Sequence, residues 1–182
     1  VMVSGNAMSH VYFELRRPAR PFWPDLAARW EPVAEGLLAR ESVDLLALVL
    51  APDVCEVRAR GRRGRAVITR AGARFTYQPL DAGDPLGLGG VVTAASPDAA
   101  YDACAGSDYP DALVQLLQLA ASPRSGAMFL SAARGWDFRA RWEPIQHVSS
   151  HGALHREHME VPLLLNHPAA RMPRRTTDVM PS

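Results

Sequence analysis

The chain of 182 residues contains no lysine: all twenty of its basic residues are arginine. Such uniformity fits a coding bias toward G+C-rich codons, so no arginine is informative merely for not being lysine. Cysteine is nearly as scarce. Cys55 and Cys104 are too few and too far apart for a disulfide framework or a Cys-rich zinc site, and they read as two buried thiols or a single stray bridge. No apolar run reaches the roughly 18 residues of a membrane-spanning helix, and no secretory leader pattern precedes the first strand. Excess charge is missing too. A net charge of +1 argues against a general polyanion-binding surface, so no nucleic-acid polymer is expected as a partner. Repeats and low-complexity tracts are also absent.

What is present is enough apolar material for a sizeable core, with 48% hydrophobic against 21% charged residues. The length suggests one domain, or one domain with an insertion. Neither end has the polar character of a natural terminus: Val1 opens inside a strand pattern and Ser182 stops where a helix should begin. The expectation is therefore a C-terminal portion of a longer polypeptide whose N-terminal part is missing. It should be soluble, in a bacterial cytoplasm or periplasm, with the compartment open because any signal peptide would precede Val1.

Residues 1–6 and 10–15 read as two strands around a Ser4-Gly5-Asn6 turn. Pro24 and Asp25 start a helix with Leu26, Trp30, Val33 and Leu37 on one face, and Pro32 should kink or split it. Trp23 and Trp30 suit either nucleobase stacking or, more simply, the core. Val43 to Ala51 is a nearly continuous apolar run, as expected of a strand buried on both faces. Residues 55–60, 65–70 and 74–78 alternate between Gly-containing turns and predict an antiparallel meander. Its arginines (Arg58, Arg60, Arg62, Arg63, Arg65, Arg70) read as a solvated hairpin face, or as a phosphate-binding patch. Gly83-Asp84-Pro85-Leu86-Gly87 is a tight loop. Ser96 with Pro97 caps a short helix, and a clear helix follows over 111–121 with Leu113, Leu116, Leu117 and Ala120 on one face. Residues 127–131 read as a strand, and 136–142 as an exposed or irregular segment. The sum is an α/β core with a small α+β insertion, the antiparallel meander, at about 51–90.

The chemistry concentrates in residues 147–166, which hold His147, His151, His155 and His158, with His167 next. A His-Gly turn running into the apolar stretch Val161-Pro162-Leu163-Leu164-Leu165, read as a short strand, is a way to display a metal ligand at a sheet edge. The glycine lets the backbone bend close to an ion. Ser149, Ser150 and Gly152 argue against one helix aligning the four histidines.

Three pieces, Ser150-His151-Gly152-Ala153-Leu154, then Val161 to Leu165, then Arg175-Thr176-Thr177-Asp178-Val179-Met180-Pro181, resemble in order and spacing the C-terminal part of the alkaline phosphatase superfamily. The type I phosphodiesterase/nucleotide pyrophosphatase branch is the most similar. The Ser-Gly-Asn and His-Val-Tyr-Phe segments near the start, and Gly83 to Gly87, are similar to segments of the same enzymes. The resemblance implies that residues 1–182 are part of one alkaline-phosphatase-like catalytic domain, and that His151 ligates one of two divalent metals, usually zinc. His155 is the better candidate to support the ligand from behind without touching the metal. His10 either faces the site or is a strand histidine with its hydrogen bond satisfied. His155 and His158 are expected on a solvated turn, and Thr176 or Thr177 as the cap of a last core helix rather than a nucleophile.

By resemblance the intact parent hydrolyses a small phosphate ester through a Thr or Ser nucleophile and a covalent phospho-enzyme. The nucleophile and the remaining ligands lie upstream, so these residues alone should be inactive. Ser149-Ser150 stands where the family often has Gly-Ser, a departure that touches the substrate more than the ligand. Two other readings remain: a phosphomutase- or sulfatase-like relative, and a non-catalytic binding module whose metal site has decayed.

Overall fold

Val43–Ala51 is the strand on which the fold is assembled. In the computed structural model, which describes residues 1–16, 19–138, 149–166 and 172–179, this strand (β3) is apolar at both parities, so both faces must be covered. Leu45, Ala47 and Val49 pack on one side, while Leu46 and Leu48 pack on the other. Val43 joins the Leu46 side because the ladder shifts register between Val43 and Leu45, a bulge that resets the alternation at Asp44.

The other strands are β1 (Met2–Ser4), β2 (Met8–Val11), β4 (Val54–Ala59), β5 (Arg65–Ala71), β6 (Arg74–Pro79), β7 (Val92–Ala94) and β8 (Met128–Ala132). They form one eight-stranded sheet in the order β1-β2-β8-β3-β4-β5-β6-β7. Every neighbouring pair is antiparallel. The protein is thus a mixed α/β structure with an antiparallel sheet. The expected meander is present as β4 to β6, and it continues the main sheet through the β3–β4 ladder.

Helix α1 (Trp23–Leu38) covers one face, with Trp23, Leu26 and Ala34 buried against Leu46, Leu48 and Met128. Trp30 packs there in part, whereas Val33 is 41% exposed, so the buried stripe runs through Ala34 instead. Pro32 does not split the helix. Pro32 and Ala28, whose carbonyl loses its N–H partner, both lie on the exposed side, where that carbonyl is open to solvent. Helices α2 (Pro97–Cys104) and α3 (Ala112–Ala121) cover the other face. Ser96 caps α2 by accepting the Ala99 N–H at 3.1 Å, and the four predicted core positions of α3 are fully buried. Arg20 donates to the carbonyls of Ala120 (2.5 Å) and Ser122 (3.0 Å), satisfying the C-terminal end of α3.

The basic meander is not a bare cationic face. Arg58 pairs with Glu31 and Glu56, Arg63 with Asp44, Arg65 with Asp81 and Arg70 with Asp53. The Gly83–Gly87 loop has a role beyond turning the chain. The Tyr77 hydroxyl donates to Asp84 at 2.5 Å and accepts the Leu86 N–H at 3.3 Å, which holds Leu86 buried under α2 and α3. Both cysteines are buried free thiols, and burial pushes Cys55 up to about 12.

One expectation fails near the C-terminus. Val161 to Leu165 is not a strand: it runs without regular structure, and Leu164 is 93% exposed. Pro162 has no N–H to give a ladder, and none of the described strands lies beside it. Thr176–Val179 is a single 3-10 turn in which Asp178 ties back to the residues before it. One Asp178 carboxylate oxygen accepts the N–H groups of Arg174 (2.9 Å) and Arg175 (3.0 Å). Residues 180–182, where the last helix was expected to begin, lie outside the described residues, as does Trp142. Among the described residues no helix is long and apolar enough to cross a membrane.

Candidate functional site

The histidine-rich segment is held at one end of the sheet, where β8 runs out and the β1–β2 turn lies beside it. His151 forms a parallel bridge with Asn6 in that turn. The His151 N–H donates to the Gly5 carbonyl at 3.2 Å, and the His151 carbonyl accepts the Ala7 N–H at 3.0 Å. Ala7, Ala132 and Ala153 pack together with essentially no exposure, so three small side chains let the segments approach closely. Further along, the Leu154 N–H donates to the buried Ser131 hydroxyl at 3.0 Å. The Arg156 N–H donates to the Asp108 carbonyl at 2.8 Å, and its guanidinium reaches the carbonyls of Ala105 and Ser107.

This stitching fixes the His151 backbone while the residue itself stays exposed. Gly152 has φ of 105°, a conformation only glycine adopts readily, so the His-Gly turn needs its glycine. Gly5 is the residue that reading the sequence did not single out. It has φ of 61°, and a Cβ there would sit 2.6 Å from His151 Nδ1. The imidazole therefore rests against the backbone of the Ser-Gly-Asn turn. The signal was the glycine in that turn, legible only as turn chemistry without knowledge of what packs on it.

The other histidines separate. His10 Nδ1 accepts the Gly126 N–H at 3.3 Å, and its ring meets Phe129 edge-on at 5.1 Å. That is the satisfied strand histidine of the two readings, and burial lowers its pKa. His158 Nδ1 accepts the Ala153 N–H at 3.2 Å, bracing the turn that carries His151. His155 corrects an expectation. It is 4% exposed rather than solvated, because residues 153–155 turn inward to pack on Ser131 and Ala132 before the short helix α4 (Arg156–Met159). Burial, reinforced by the His158 ring 4.2 Å away, lowers its pKa, so it is neutral near pH 7. Glu157 Oε2 lies 3.2 Å from His155 Nδ1 but outside hydrogen-bonding geometry, and among the described residues neither ring nitrogen has a hydrogen-bond partner. His147 and His167 lie outside the described residues.

As chemistry, the arrangement offers one exposed imidazole on a rigid turn at the sheet end. Among the described residues no three His, Cys, Asp or Glu side chains converge as a metal-binding group. The described residues therefore do not complete a zinc site around His151. No family model, curated protein or solved structure matches the chain.

Proposed function

We propose that this chain is the C-terminal part of an alkaline-phosphatase-like, metal-dependent hydrolase of small phosphate esters, a phosphodiesterase, nucleotide pyrophosphatase or phosphatase, to which it contributes one ligand, His151. The observation that carries this reading is the display of His151: exposed, on a glycine turn, with its backbone tied on both sides and its ring resting on Gly5. A ligand must be presented in one orientation before the ion arrives, and backbone ties achieve that without consuming the imidazole. The remaining zinc ligands and the nucleophile belong, on this reading, to residues outside this chain.

The test uses the whole native gene product, assayed for zinc content and for turnover of a nitrophenyl phosphodiester. His151→Ala should lower both, turnover by at least about tenfold. Equal zinc and equal turnover in wild type and variant would remove His151 from the site. No zinc and no turnover in the wild type would favour a non-catalytic module. Residues 1–182 alone should hydrolyse nothing, and turnover by them that His151→Ala abolishes would overturn that expectation.

A further inference from the structure

The backbone of His151 is tied to the β1–β2 turn, but Gly152 follows it directly, and a glycine leaves the next peptide plane free to rotate. What holds Ala153 therefore decides whether the His-Gly turn keeps one shape. Ala153 is fully buried beside Ala7 and Ala132. Among the described residues its N–H has one acceptor, His158 Nδ1 at 3.2 Å. A buried residue whose N–H loses its acceptor is pressed toward another conformation, and beside a glycine several are open to it.

His158 has a fixed base from which to hold that N–H. It stands on α4, whose first residue, Arg156, is anchored to the chain at 105–108. The Arg156 N–H donates to the Asp108 carbonyl, and its guanidinium donates to the carbonyls of Ala105 and Ser107. The His158 N–H closes the same turn on the His155 carbonyl at 2.9 Å, and the buried His155 ring lies 4.2 Å from the His158 ring. The bond to Ala153 also settles the tautomer. A ring nitrogen that accepts carries no proton, so His158 is neutral with its proton on Nε2. Nδ1 is then occupied and Nε2 protonated, so His158 holds the turn without competing with His151 for an ion.

We infer that His158 is a positioning residue for His151: its Nδ1 acceptor, and not the bulk of its ring, fixes the turn on which the His151 imidazole is presented. The consequence for a metal rests on the reading of His151 as a ligand, whereas the positioning itself does not.

Nitrogen-15 NMR of the chain tests the positioning with no metal present. The wild-type His158 ring should show a bare Nδ1 and a protonated Nε2. Asparagine and leucine, nearly equal in shape, then separate the acceptor from the bulk. His158→Asn places an Oδ1 where Nδ1 stood and should leave the His151 ring resonances in place. His158→Leu should shift them, with the fold checked by circular dichroism. Zinc affinity of the whole native gene product, measured by chelator competition, is the second readout. His158→Leu should weaken it by about tenfold or more, and His158→Asn should leave it close to wild type. A His158 proton on Nδ1, or His151 resonances that respond alike to Asn and Leu, would overturn the inference. So would a zinc affinity lowered by His151→Ala but untouched by His158→Leu. An affinity untouched by His151→Ala would strike the ligand reading alone, with the resonances still deciding His158.

Discussion

Gly5 and His155 control the sheet end more than their residue types suggest. Alanine at position 5 would hold an L side chain at φ of 61° and press its Cβ to 2.6 Å from His151 Nδ1. Gly5→Ala should cost about 1–2 kcal/mol of stability and move the His151 ring, read as a changed imidazole proton resonance. An unchanged His151 resonance would mean that the ring does not depend on Gly5. His155 sets a pH dependence. Its folded-state pKa is lowered by burial and by His158, with Arg134 acting the same way and Glu157 and Asp44 opposing. The unfolded chain protonates His155 near pH 6.5, while the folded chain resists until a lower pH. Over that window the unfolded state binds more protons, so stability is full above about pH 6.5 and falls as the pH drops through it. His10 and His158, also lowered by burial, add to the trend. Urea midpoints should fall between pH 7.5 and 5.5, and less steeply in His155→Gln. A midpoint that rises on acidification would contradict this sign.

Among the elements, the C-terminal 3-10 turn is attached by the two arginines before it: Arg174 pairs with Asp102 at 2.7 Å on the exposed side, and Arg175 makes the deeper link. Arg175 donates from Nε to Asp111 Oδ2 at 2.8 Å and from Nη2 to Asp111 Oδ1 at 2.6 Å, and Nη2 also reaches the Pro97 carbonyl. Asp111 is 3% exposed and precedes α3 at φ of 61°, so its carboxylate holds Arg175 instead of capping the helix. Arg175→Ala would strand a buried charge that keeps, among the described residues, its Gln115 bond alone, for a loss of about 3 kcal/mol. Adding Asp111→Asn should recover part of it, since the charge goes with the partner. A single-variant loss under about 0.5 kcal/mol would show the pair to be a surface contact in effect. The contrast between this pair and α3 itself marks what the sequence makes legible. Leu113, Leu116, Leu117 and Ala120 repeat at helical spacing, and the meander alternates between glycine turns, so local pattern suffices for both. The Arg175–Asp111 link spans 64 positions, and the pairing of Met8–Val11 with Met128–Ala132 spans more than a hundred. Nothing local encodes either. Val161 to Leu165 fails in the opposite sense: it has strand composition but no partner, and composition without a ladder is not a strand. His155 was legible as a site candidate, yet its burial depends on the Ser131 hydroxyl receiving Leu154, a contact no spacing reveals.

At the scale of the molecule, α2 and α3 cover one face of the sheet, while α1 covers the β3 part of the other and leaves Val67, Thr69, Thr76 and Gln78 of the meander half-buried or exposed. β1 is one edge. Met2 is 63% and Val3 43% exposed there, and its outer backbone groups have no neighbouring strand among the described residues. Apolar side chains beside open ladder positions are what a second copy of the same edge can pair with, gaining backbone bonds and burial together. The exposed Val161 to Leu165 stretch offers apolar surface but no comparable ladder, because Pro162 interrupts its donors. Association of the chain with itself should therefore run through β1. Sedimentation velocity over a concentration series should show a monomer giving way to a dimer. Val3→Lys should restore the monomer by placing a charge in that seam, whereas Leu164→Lys should leave the dimer largely intact. The reverse order of the two variants would assign the association to the apolar stretch and leave β1 a blunt edge, too short at three residues to template a partner.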